Sequence, residues 1–268
     1  MMYNIFITRK ELYPMDYTKI ANLIYTDSRP HFCHFDIYVP QSNPAGTLII
    51  YLMGGGLRSA NKDSQHIAAA LARLGFAVAV PEYRLMPEAQ YPDFILDAAE
   101  AVSSILKQAP KYCGKTEKVF ICGYSAGAYL AMMLAFNEDY LAAHGLTPDL
   151  ATGYIFISGQ PTKHFAVLRS DGQDESAIVV DHTAPLYHLP KRERRMPPML
   201  AVSSDRDMPV RLEQNLLLVA ALRARGHRAS LHNLGDVTHG DMAKCTPTTD
   251  PAVLPCIERF ILTGYAEQ

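Results

Sequence analysis

Residues Val119 to Phe136 read VFICGYSAGAYLAMMLAF and compress a strand, a sharp turn and a helix into one run. Val119 to Cys122 is a short apolar stretch, as expected of a strand covered on both faces, and Ala128 to Phe136 is rich in good helix formers. Between them lies Gly123-Tyr124-Ser125-Ala126-Gly127, a G-x-S-x-G pattern. A nucleophile on such a turn sits in a strained backbone conformation, so the residues two before and two after it must be small to clear the neighbouring strand and helix. This singles out the Ser125 hydroxyl. The following helix would aim its free amides and positive dipole end at the same place, favouring negative charge beside Ser125. An ordinary strand-turn-helix whose glycines merely make the turn would read the same way, and only the rest of the chain separates the two.

The chain has 268 residues and 49% hydrophobic composition, enough for one large core, so a single domain over 1–268 is expected. Twenty-five basic against 27 acidic side chains give a net charge of -2, and the short basic run from Lys191 to Arg195 reads as a solvated loop. No nucleic-acid footprint is present. The five cysteines, Cys33, Cys113, Cys122, Cys245 and Cys256, are odd in number and irregularly spaced, which suits a reduced, intracellular protein. The first residues carry charges and a proline where a secretory segment needs an apolar core, and no apolar run reaches the roughly 18 residues of a membrane span. A cytoplasmic location is expected, and a homo-oligomer is compatible with the composition.

Met1 to Arg29 alternates weakly and suggests an edge segment or short helix covering the core. His31 to Pro40 alternates in its second half and stops at proline, as an outer strand would. His31, Cys33 and His34 are an incomplete metal ligand set, and alternation explains them without a metal. Thr47 to Met53 reads as a buried strand ending in Gly54-Gly55-Gly56. Three glycines at a strand end let backbone NH groups face a cavity, as an oxyanion hole requires. A dinucleotide loop would need G-x-G-x-x-G, and Ser59 stands at the last position.

Helical patterns follow at Ser64–Leu74, Asp93–Gln108 with Asp93 as a cap, Val210–Arg225 and Pro251–Leu262. Strand patterns lie at Phe76–Val80, Gly153–Ser158, Pro198–Ser203 and Arg228–Leu234. This alternation specifies an α/β fold with a largely parallel sheet of about eight strands and helices on both faces. The long irregular interval from Gln160 to Pro197 reads as a lid or pocket-lining insertion.

A serine nucleophile needs a base and a carboxylate to orient it. Functional residues of parallel sheets collect beyond the C-terminal strand ends, which favours His239, in the loop after Arg228–Leu234. His232 lies inside that strand and His227 at its wrong end, while His164, His182 and His188 belong to the insertion. For the acid, both Asp205 and Asp207 follow the strand ending at Ser203. Asp207 lies farther out and can reach His239, whereas Asp205 is better placed to brace the turn; Asp236 is a third candidate.

The order Ser125, Asp207, His239, with a glycine-rich loop earlier in the chain, is the combination expected of the α/β-hydrolase fold. From about Phe35 onward the sequence resembles small esterases and lipases of that superfamily, the hormone-sensitive-lipase-like and acetyl-esterase-like (BD-FAE-like) groups. The matches are Gly54-Gly55-Gly56 against His-Gly-Gly-Gly, Glu82-Tyr83-Arg84-Leu85-Met86-Pro87-Glu88 against Asp-Tyr-Arg-Leu-Ala-Pro-Glu, the Gly123–Gly127 turn, and the Asp207 and His239 loops. The resemblance implies an oxyanion hole from the NH groups of Gly55, Gly56 and Ala126, a structural role for Glu82–Glu88, and no large N-terminal cap. Met53 departs from the family histidine that fixes the glycine loop, Tyr124 stands where many relatives carry Asp, and Ala128 where many carry Gly.

The expected activity is a serine carboxylic-ester hydrolase acting on small short-acyl or acetylated esters, with no cofactor and no metal. An arylformamidase-like amidase or a carbohydrate deacetylase shares the chemistry, and a non-catalytic ligand-binding protein of the same fold is the rival from another class. With His239 as the base, activity falls as its imidazole becomes protonated; a rate profile flat through that titration contradicts the assignment.

Overall fold

The computed structural model describes residues 16–29, 31–43, 45–62, 66–244 and 251–265. The covering segment expected before residue 16, the start of the helix expected from Ser64, and Cys245 lie outside them. Eight strands form one sheet: β1 (Tyr17–Ile24), β2 (His34–Pro40), β3 (Thr47–Leu52), β4 (Ala77–Pro81), β5 (Lys118–Tyr124), β6 (Gly153–Ile157), β7 (Met199–Ser203) and β8 (Ala229–Asn233). Their order across the sheet is β1-β2-β4-β3-β5-β6-β7-β8. β1 and β2 run antiparallel, and every pair from β4 through β8 is parallel. The His31–Pro40 segment is therefore not outermost as its alternation suggested. β1 pairs along it, which accounts for the near-complete burial of β2.

The strands β3, β4, β6 and β7 are buried at every position, the mark of parallel strands covered on both faces. The principal helices are α1 (His66–Arg73), α2 (Asp93–Gln108), α3 (Ala126–Phe136), α4 (Phe165–Ser170), α5 (Arg211–Ala224) and α6 (Leu254–Thr263). All eleven residues of α3 are buried, so a helix that is apolar all round occupies the interior, against β5, β6 and α2. Asp93 opens α2 at its predicted boundary but does not cap it. Pro92 holds the cap position, and the Asp93 carboxylate accepts from the Gln90 amide at 3.0 Å. The interval from Gln160 to Pro197 is less irregular than its composition suggested. It contains α4 and a 3-10 turn at Pro185–His188, and Gln160, Thr162, Lys163, His164 and Thr183 within it are buried.

At the centre, β5 turns into α3 through Ser125. A β-carbon on Gly123 would lie 2.2 Å from the Gly127 carbonyl oxygen, and one on Gly127 would lie 2.0 Å from that of Leu52. Neither neighbour is a flexible side-chain tip, so the turn closes only with hydrogen at both positions. Replacing Gly127 with Ala should cost about 1–3 kcal/mol or more. Urea unfolding of Gly127→Ala tests this, and an unchanged midpoint contradicts the close packing of the turn.

Candidate active site

Ser125 occupies the turn at φ 54° and ψ -114°, outside the comfortable range of a non-glycine residue. Two hydrogen bonds hold it there: its NH donates to Ile157 of β6 at 2.8 Å, and its carbonyl accepts from Tyr129 of α3 at 3.1 Å. Its hydroxyl oxygen lies 3.1 Å from His239 Nε2. His239 Nδ1 in turn lies 2.7 Å from Asp207 Oδ1. The three residues chosen from the sequence thus meet as one chain of contacts across the ends of β5, β7 and β8.

The loops after β7 and β8 carry acid and base together because they are joined along their length. Leu234 NH donates to Ser203 and Asp205 NH to Gly235, the Ser204 hydroxyl donates to the Val237 carbonyl, and Arg206 and Thr238 form a parallel bridge. The residue after each half of that bridge is Asp207 or His239, so the register of the loops puts carboxylate against imidazole. Asp205 braces the turn, accepting from Asn233 at 2.7 Å, and Asp236 faces Arg206 at the surface.

Asp207 is saturated. Oδ1 accepts from the Ser158 hydroxyl at 2.7 Å and the Met208 amide at 2.8 Å in addition to facing His239, and Oδ2 accepts from the Ser203 hydroxyl at 2.9 Å. Burial pushes its pKa up, but the hydrogen bonds from His239, Ser158 and the Met208 amide prevail and hold it below the ordinary carboxylate value. The carboxylate therefore stays ionised, as an orienting acid must.

Two further residues complete the site, and of these only Tyr124 is marked in the sequence, as a departure from relatives that carry Asp. Ser158, at φ 50° beyond β6, places its hydroxyl 2.8 Å from His239 Nδ1 as well as on Asp207. Tyr124 stacks on the His239 ring, with centroids 5.2 Å apart, and donates its hydroxyl to the His239 carbonyl at 2.6 Å. Burial raises the Tyr124 phenol well above its ordinary value and keeps it a donor. The pentapeptide marks Tyr124 as a departure but not its contacts with His239; nothing in the sequence marks Ser158 except its position at a strand end.

The glycine loop is built as its three glycines require. Gly55 and Gly56 hold φ 127° and 64°, and the Gly55 carbonyl accepts from the amides of Arg58 and Ser59. With Met53 in place of a histidine, the loop is fixed from the Glu82–Glu88 segment. The Tyr83 hydroxyl donates to the Met53 carbonyl at 2.7 Å, and the Met86 amide donates to Leu57 at 2.8 Å. Arg84 anchors that segment through a two-pronged contact with buried Asp97, both bonds at 2.9 Å. The other candidate histidines are used elsewhere: His227 contacts the Pro190 carbonyl, His188 the His182 carbonyl, and His164 accepts from Ala166 at the start of α4. Among the described residues, no group of three or more His, Cys, Asp or Glu is arranged to hold a metal. No helix among them is long and apolar enough to cross a membrane.

A cavity of about 340 Å³ opens between residues 160–178 and the Met208–Gln214 segment, which follows Asp207. Phe165 on its wall lies 3.1 Å from where a β-carbon on Gly56 would stand, so this ring separates the cavity from the glycine loop.

Residues 35–152 match the BD-FAE family model. Kynurenine formamidase of Danio rerio is 32% identical over 126 residues, 46% of this chain and 41% of that protein. Acetyl esterase of Salmonella paratyphi B is 38% identical over 101 residues, 37% of this chain and 31% of that protein. These matches thus span less than half the length of the curated relatives. Among solved structures, esterase B from Lactobacillus rhamnosis, inhibited in that crystal, superposes with a TM-score of 0.74 at 16% identity, covering 92% of this chain and 87% of that one. A truncated carbohydrate esterase from gut microbiota gives 0.70 at 20% identity, covering 92% and 94%. These likenesses are of fold.

The hydroxyl of Ser158 should matter through Asp207 and His239. A hydrogen bond to a charged group contributes about 1.5–3 kcal/mol, so Ser158→Ala should lower kcat about 10- to 100-fold with KM little changed. Because Asp207 is depressed in the fold, its charge stabilises the protein above the ordinary carboxylate pKa, and that contribution is lost as pH falls through the folded value. Removing one donor raises the folded value toward the ordinary one, so in Ser158→Ala the contribution is smaller and is exhausted at a higher pH than in the wild type. Acid unfolding monitored by circular dichroism checks this, and coincident curves contradict it.

Proposed function

We propose that this chain, an α/β-hydrolase of the esterase group by fold and relatives, is a serine carboxylic-ester hydrolase acting on small short-acyl or acetylated substrates. The observation that carries the reading is the alignment of Ser125 Oγ, His239 Nε2, His239 Nδ1 and Asp207 Oδ1 at 3.1 and 2.7 Å on a strained turn. Ser125 Oγ attacks the substrate carbonyl carbon while His239 Nε2 takes its proton. Asp207 holds the ring in the tautomer that can accept it and stabilises the imidazolium. The carbonyl oxygen becomes an oxyanion, received by the NH groups of Gly55, Gly56 and Ala126, the last at the N-terminus of α3. Collapse breaks the bond to the leaving alcohol, which takes the proton from His239. Water, deprotonated by the same nitrogen, then hydrolyses the acyl-enzyme and returns the hydroxyl to Ser125.

The match to acetyl esterases favours a small acyl group. The match to kynurenine formamidases favours a second reading with the same residues, in which the bond cleaved is a formamide. Comparing kcat/KM for phenyl acetate and formanilide separates the two, since the leaving group is an alcohol in one and an amine in the other.

The reading is tested by mixing the protein with a fluorophosphonate probe and, separately, with p-nitrophenyl acetate and butyrate. Labelling and turnover should both vanish in Ser125→Ala. Asp207→Asn should retain labelling at a much lower rate, with kcat reduced about 10⁴-fold, the scale set when a triad histidine is left in the wrong tautomer. A folded wild type that neither labels nor turns over any ester or formamide overturns the proposal.

A further inference from the structure

Arg211, the first residue of α5, is only 3% exposed and lines the cavity between residues 160–178 and Met208–Gln214. It follows Val210, a β-branched residue held at φ 54°, where the chain reverses. Its Nη1 donates to the Ser158 carbonyl at 2.6 Å. Nη2 makes only long contacts, 3.4 Å to Gln160 Oε1 and 3.6 Å to Met208 Sδ, and Nε is buried without a partner. Among the described residues, no carboxylate lies within ion-pair distance of this guanidinium.

A buried charge without a counter-ion is costly to maintain. Burial lowers the Arg211 pKa to about 10, which still leaves it protonated at neutral pH. The carboxylate whose field it feels, Asp207, is already committed to Ser158, Ser203, His239 and the Met208 amide. The nearby imidazole, His164, is held neutral, its pKa pushed down to about 3 by burial and by Arg211 itself. Glu175 on the cavity wall is tied to Arg169. The positive charge of Arg211 thus has no anionic partner on the protein side and borders open volume on the other.

We infer that this cavity is a subsite for a carboxylate-bearing part of the substrate, recognised by the guanidinium of Arg211. With Nη1 on the Ser158 carbonyl and Nε buried, Nη2 is the prong left to donate to a carboxylate oxygen, and Phe165, Ile178, Met208 and Val210 supply apolar walls for the body that carries it. At about 340 Å³ the cavity is at the small end of ligand pockets, about 300–1,000 Å³. Phe165 stands between the cavity and Gly56, so one side chain separates an occupant from the glycine loop. The inference rests on the hydrolase reading for what the subsite serves, and on the geometry of Arg211 alone for what it binds.

The test is calorimetric titration of benzoate and of its neutral analogue benzamide into the full chain, and into its Arg211→Met and Arg211→Lys variants. Benzoate should bind the wild type at least ten-fold tighter than benzamide. The preference should disappear in Arg211→Met and return in part in Arg211→Lys. Equal affinities for the two ligands in the wild type, or no benzoate binding, overturn the inference whether or not either variant folds. So does a preference that survives in a folded Arg211→Met. Binding is read without turnover, so a protein that prefers benzoate yet hydrolyses no ester or formamide would overturn the hydrolase reading and leave the subsite standing.

Discussion

Ser125 can keep its strained backbone only because nothing larger than hydrogen occupies the space on either side of it. The Gly127 carbonyl reaches into the place of a Gly123 side chain, and the Leu52 carbonyl into that of Gly127. This close approach couples β3, β5 and α3 into a single unit, so the hydroxyl is positioned by the most buried part of the molecule. The cost of one residue at positive φ is met by burying all eleven residues of α3 and by ladder bonds on both sides of the turn.

The remaining parts of the site are brought to Ser125 by backbone pairing more than by side chains. Parallel register along β5, β6 and β7 brings Tyr124, Ile157 and Val202 to the same level, and the joined loops beyond β7 and β8 continue it to Asp207 and His239. Strain gathers at the same edge, with Leu57, Ser125, Ser158 and Val210 all at positive φ. Ser125 and Ser158 carry hydroxyls of the site and Val210 precedes Arg211, consistent with strain retained where geometry is needed for chemistry. Ser158 links the two halves, since its hydroxyl reaches the triad while its carbonyl receives Arg211.

Much of this was legible in the sequence because it depends on local patterns. The alternation of apolar strands and helices gave the eight-stranded α/β sheet. The G-x-S-x-G turn singled out Ser125, and strand-end reasoning favoured Asp207 and His239, which the fold brings into contact with it. Other features depend on contacts between distant segments. The position of β2 inside the sheet requires knowing that β1 pairs with it. Stabilisation of the glycine loop without a histidine depends on Tyr83, 30 residues from Met53. Ser158 and Arg211 carry no motif, and their importance arises from a strand end and a helix start that meet only in three dimensions. The Gln160–Pro197 interval read as irregular because charge, proline and histidine conceal its short helix, which is capped by the buried His164.

In the proposed reaction Ser125 carries the acyl group between attack and hydrolysis. Rapid acid quench after mixing with p-nitrophenyl acetate, followed by mass spectrometry of the proteolytic fragments, tests it directly. One added acetyl group should appear on the fragment containing Ser125, formed in a burst before steady turnover and absent from Ser125→Ala. Steady turnover with acetyl found on another residue, or with the adduct unchanged in Ser125→Ala, would contradict it.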